Sequence, residues 1–171
     1  TRLGHPVPVY FTADELRDAS DVFPIEFHQM ESARRVLFGR DVLADVRISD
    51  VNLRHQCEYE LRSKLLLLRR RYIHASESAE RLVLLITESF SSIAALIRAA
   101  LWLKGVRPST EKAQIIQYAA KEFGLDETIF NRILDLRKHE NSGKLDITET
   151  NELFAAYLQE IERLIDNVNN I

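Results

Sequence analysis

The residues best suited to chemistry lie on one segment, Leu53 to Ile73 (LRHQCEYELRSKLLLLRRRYI), or just beyond it. Arg54, Glu58 and Arg62 stand at i, i+4 and i+8, one line along a helix. Such a line is either the border of a groove for a charged ligand or an exposed ladder of ion pairs. Arg69 and His74 follow in R-x4-H spacing. If they converge on a phosphate, the arginine stabilises its charge and the histidine moves a proton. Arg69, Arg70 and Arg71, with Arg62 and Lys64, make the second half of the segment basic. That is a phosphate-binding surface, or a solvated helix end favoured by the macrodipole.

Other chemistries have no pattern here. The chain lacks G-x-x-x-x-G-K, G-x-G-x-x-G, H-E-x-x-H and G-x-S-x-G. Its five histidines, at 5, 28, 55, 74 and 139, are too scattered to read as a metal site, so no metal ligands are assigned. Cys57 is the single cysteine, which rules out an internal disulfide and points to a reducing, cytoplasmic setting.

The element that must position these groups is a long helix over 53–73. Leu53, Cys57, Leu61, Leu65, Leu68 and Tyr72 recur at steps of four and three, which keeps them on one stripe. Leu66, Leu67 and Ile73 widen the apolar face, so the helix is expected to be central, with more than one packing partner. Before it, His5 to Val9 is extended, and Thr12 with Glu15 forms a capping box that opens a short helix. Val22 to Phe27 reads as a strand, with Phe23, Ile25 and Phe27 on one side and Pro24 confining it to a sheet edge or leaving it a single extended segment.

After it the spacing predicts helices over about 79–104, 109–123, 127–138 and 148 onward. Ser76 or Ser78, Asp126 and Thr148 are the expected caps, and Gly105 and Gly124 the stops. The loop HENSGKLD at 139–146 is the clearest polar break. The fold class expected is mainly α: a five-helix up-and-down bundle over 49–171, with 1–48 a linker or the strand-bearing end of an α/β domain.

At 171 residues the chain is long enough for a real core. A net charge of −3 indicates no general affinity for nucleic acid. Ile93 to Leu103, the most apolar stretch, contains Arg98 and falls short of the ~20 residues of a membrane span, so no membrane partner is expected. The opening TRLGHPVPVYF lacks start-of-domain character, so a fragment or processed product is expected.

Two stretches carry a family resemblance: DVFPIEFHQMESARRVLFGRD at 21–41 and LRHQCEYELRSKLLLLRRRYI at 53–73. They resemble bacterial nucleotidyltransferase-like proteins of the polymerase β type. In those, a small α/β domain precedes a helical bundle similar to the C-terminal domain of kanamycin nucleotidyltransferase and to HEPN domains. Such enzymes need a G-S motif for the triphosphate, a D-x-D pair for magnesium and a third carboxylate. Neither motif occurs on any expected strand here, and only Glu26, in FPIEF, stands where the third carboxylate would be, unless it is an edge-strand glutamate facing water.

The resemblance therefore implies a non-catalytic substrate- or partner-binding domain without a cofactor of its own. Magnesium and a nucleoside triphosphate would belong to the full-length protein. Arg54, Glu58 and Arg62 would face its cleft, and the partners would be a small-molecule or nucleotide substrate shared with an N-terminal domain, or a second copy in a homodimer. The alternatives are a dimeric HEPN-type ribonuclease acting through Arg69 and His74, and a helical interaction module without a ligand.

Overall fold

The computed structural model describes residues 9–138 and 146–171. Among them are seven α-helices and no strand: α1 (Ala13–Asp18), α2 (Pro24–Ala33), α3 (Asp50–Ala75), α4 (Ala79–Leu103), α5 (Lys112–Phe123), α6 (Glu127–Lys138) and α7 (Ile147–Asn169). The chain divides into two compact units, 1–56 and 57–171, and the division falls within α3. The polar loop expected at 139–146 lies, but for Asp146, outside the described residues, as does most of His5 to Val9.

In the first unit, α1 opens on the expected capping box. Glu15 N–H donates to Thr12 Oγ1 at 3.1 Å, and Thr12 N–H to Glu15 Oε2 at 2.6 Å. The strand expected at Val22 to Phe27 is not formed: Pro24 instead occupies the first position of α2. A proline there gives up a donor that has no helical acceptor anyway, and its fixed φ suits the helix. Phe23, Ile25 and Phe27 do alternate, but Phe23 is half exposed, and the buried set is Pro24, Ile25, Phe27 and His28. That spacing of one, three and four belongs to a helix face.

Gln56 fastens this first turn. Its Oε1 accepts from Ile25 N–H at 2.8 Å, and its Nε2 donates to Glu26 Oε2 at 2.9 Å. Beyond α2, Arg34 Nε donates to Asp41 Oδ2 at 2.8 Å and closes the base of a loop. Gly39 turns within it at φ 77°.

In the second unit, α3 buries Cys57, Leu61, Leu65 and Leu68 as the stripe requires. The widened apolar face does not hold, since Leu66 is 63% and Ile73 69% exposed. Together with Tyr59 they fall seven residues apart, on a line turned away from the buried stripe. One flank of α3 is thus a surface.

The core lies among α4 to α7. α4 starts where Ser78 Oγ accepts from Arg81 N–H at 3.3 Å and ends before Gly105 at φ 73°. It buries Leu82, Ile86, Phe90, Ile93, Ile97 and Leu101 and packs against α5, α6 and α7. By length and composition alone α4 is long and apolar enough to cross a membrane, its apolar run reaching beyond Ile93 to Leu103. Half of that run is buried in this protein, as in the core helix of a bundle.

The helical bundle is as expected, with two boundary corrections. α5 begins at Lys112 rather than near Ser109, whose N–H donates to Gln114 Oε1 at 2.7 Å. α7 is capped by Asp146 rather than Thr148, in a second capping box with Glu149. Asp sits three residues before Glu there, so the reciprocal pair outcompetes a lone threonine. Phe130 meets Tyr157 edge-on at 6.2 Å, and Tyr72 stacks on Phe154 at 4.9 Å. Such pairs fix ring orientation as well as burying area.

Candidate functional site

Glu58 and Arg62 do pair, with Arg62 Nε donating to Glu58 Oε1 at 2.8 Å. The end of α7 completes the contact. With its amide oriented to satisfy both groups, Asn169 donates to Glu58 Oε2 and Oε1 at 2.6 and 3.0 Å, and its oxygen accepts from Arg62 Nη2 at 3.1 Å. Further along α3, Arg69 is ion-paired to Glu162, and Tyr72 Oη donates to Asn151 Oδ1 at 2.6 Å. The polar flank of α3 is therefore fastened to α7 at three levels. This gives Glu58 and Arg62 a structural role, whatever else they contact. Arg54 lies one turn earlier on the same helix, half-buried.

Glu26 sits on the first turn of α2, not on a strand, with one oxygen engaged by Gln56. Among the described residues no three His, Cys, Asp or Glu side chains gather as metal ligands would. The residues around Glu26 thus do not by themselves fit a magnesium site, and no step through a metal is assigned to this chain. His28 is buried on α2, His55 is exposed on α3, and His5 and His139 lie outside the described residues. Cys57 is fully buried, which pushes its thiol from 9.0 to about 12. It stays protonated and inert at neutral pH.

Arg69 and His74 are not brought together. Five residues along a helix turn the side chains about 140° apart, so the R-x4-H spacing separates them within one chain. Arg69 goes to Glu162, while His74 shares its side of α3 with Arg71, three residues back. Those two face Arg81, Leu84, Leu85 and Glu88 of α4 across an open cavity of about 230 Å³, floored by Ala75. The bond network of the described residues uses none of the four charged or titratable side chains in this cavity. By contrast, Arg62, Arg69 and Arg163 are all ion-paired.

Sequence reasoning did not isolate this cavity. Arg71 with His74, and Arg81 with Leu84, Leu85 and Glu88, are ordinary helix-face spacings. Only the Ser76–Ser78 turn between α3 and α4, which folds one face against the other, makes them a site.

A comparison with protein-family models, with curated proteins and with solved structures found no match in any of the three.

Proposed function

We propose that this chain is a non-catalytic helical domain that binds a partner or substrate within a nucleotidyltransferase-like protein. The observation that carries the reading is the apolar surface of the first unit. Ten of the sixteen large hydrophobic side chains exposed on the described residues lie between Val9 and Val51, although that unit is a third of the chain. Leu37 and Phe38 are 86% and 98% exposed at the loop that Arg34 and Asp41 close. Apolar side chains gathered at that density mark an interaction surface. They fit a unit that works against another domain, and five of the ten, Val22, Phe23, Val36, Leu37 and Phe38, fall in 21–41, one of the two stretches that resemble the nucleotidyltransferase-like proteins.

In this reading the nucleotide, magnesium and the chemistry belong to the α/β domain, and this chain supplies the surface against which that domain and its substrate rest. The experiment is to sequence the source gene upstream of Thr1, produce any α/β domain found there, and measure its association with this chain by calorimetry. The expected result is a G-S and a D-x-D motif upstream and saturable binding that the pair Leu37→Asp, Phe38→Asp abolishes. An upstream sequence without those motifs, or binding indifferent to the two substitutions, overturns the reading.

A further inference from the structure

We propose that the cavity between the end of α3 and the start of α4 is a binding site for a small phosphorylated molecule. Arg71, His74 and Arg81 take the phosphate, and Leu84 and Leu85 take a short apolar arm. The inference is independent of the function proposed above, which concerns the first unit.

Three observations carry it. First, Arg71, His74, Arg81 and Glu88 line the cavity, and among the described residues no hydrogen bond or ion pair engages their side chains, Arg81 being held only through its backbone N–H to Ser78. Two guanidinium groups and an imidazole lining one cavity, against the single carboxylate of Glu88, form a donor set that a tetrahedral anion satisfies, since guanidinium binds phosphate through paired N–H donors. Second, the donors share the site with apolar surface: Leu84 is 56% exposed beside the buried Leu85. A bare ion would leave that surface wet. Third, the volume is about 230 Å³. That is below the roughly 300–1,000 Å³ of sites for drug-sized ligands, so the occupant is a phosphate with a few carbons rather than a whole nucleotide.

Glu88 sets the orientation. It lies seven residues, about 10 Å, along α4 from Arg81. Its negative charge keeps the phosphate at the turn end of the cavity, with the apolar arm running over Leu84 toward Glu88.

The test is a titration of the isotope-labelled chain, followed by NMR at constant ionic strength, with inorganic phosphate and with monobutyl phosphate as probes. Saturable shifts of the His74 imidazole and the Arg71 and Arg81 guanidinium signals are expected for both. Monobutyl phosphate should bind more tightly, by roughly fourfold for each methylene buried. Arg81→Gln should weaken both probes about tenfold, and Leu84→Ser should remove only the advantage of the butyl group. Glu88→Gln should tighten both. These side chains are exposed or at the cavity rim, and an unchanged melting temperature shows that each variant is folded. No saturable shift up to about 20 mM phosphate overturns the proposal, as do equal shifts at the exposed His55 or unchanged binding in Arg81→Gln.

Discussion

The carboxylate of Glu160, only 3% exposed, accepts the backbone N–H of Asp126 at 2.8 Å, thirty-four residues away in sequence. Two further residues of the same face of α7 reach the same turn: Arg163 Nη1 donates to Gly124 O at 3.2 Å, and Asn167 Nδ2 to Phe123 O at 3.2 Å. Arg163 also neutralises Glu160 at 2.9 Å, so the buried charge is paired. The α5–α6 turn is thereby held by side chains, with donors and acceptors matched.

Glu160→Ala leaves the Asp126 N–H without its partner and removes the counter-charge of Arg163. A loss of about 1–3 kcal/mol is expected, read as a lower urea midpoint with an unchanged slope. Glu160→Gln keeps the acceptor and should recover part of it. Equal stability of Glu160→Ala and the parent would show that the turn holds without the carboxylate.

Alkaline pH should destabilise the protein through Cys57. Burial raises its folded value from 9.0 to about 12. The folded state therefore binds the proton more tightly than the unfolded one, and this contribution is complete below pH 9 and lost as pH rises toward 12. Burial also raises the Tyr157 phenol, partly offset by its hydrogen bond with Ser89, so part of the alkaline loss is its own. Thermal melts from pH 8 to 11 should fall less steeply for Cys57→Ala than for the parent; parallel curves would remove Cys57 as a cause.

Acid should open the loop at 34–41. The hydrogen bond from Arg34 holds the Asp41 carboxyl below its ordinary value of 3.8, helped by the Leu43 N–H, which donates to Asp41 Oδ1 at 3.1 Å. Stability from a lowered carboxyl is present above 3.8 and lost as pH falls through the folded value. Intrinsic amide exchange aside, the Leu43 N–H should lose protection below pH 4 in the parent, and should already be unprotected at pH 6 in Asp41→Ala.

The ribonuclease alternative needs Arg69 and His74 to meet across a dimer groove, with Arg69 exchanging its partner for a phosphate. Within one chain Arg69 is ion-paired to Glu162, and His74 is turned to another side of α3. Incubation of the chain with single-stranded RNA is expected to give no cleavage that depends on these residues. Cleavage abolished by Arg69→Ala and His74→Ala alike would reverse that assignment.

Local signals in the sequence were read correctly where the physics is local. Thr12 and Glu15 form their capping box within one turn, and the step-of-four stripe from Leu53 to Leu68 needs no distant partner to be visible. FPIEF failed because five residues with three apolar ones satisfy both a two-residue and a four-residue period. Only the burial of Pro24 and His28 decides between them. Leu66 and Ile73 were misassigned because hydrophobicity does not tell which flank of a helix finds a neighbour.

The site was legible in pieces only. The Glu58–Arg62 pair follows from its spacing, whereas Asn169, more than a hundred residues on, could not be read from it. The cavity of Arg71, His74 and Arg81 depends on how two helices fold about a turn, which no periodicity encodes.

The side chains that complete the α5–α6 turn come thirty-four to forty-four residues after it. During synthesis, Phe123, Gly124 and Asp126 emerge from the ribosome well before Glu160, Arg163 and Asn167. Until α7 clears the exit tunnel, the turn has only solvent for partners, and the apolar faces of α4, α5 and α6 lack the helix that covers them. α7, made after the helices that it covers, is thus the one that closes the core, and a chain truncated before it should be a substrate for chaperones and proteases rather than a smaller stable domain.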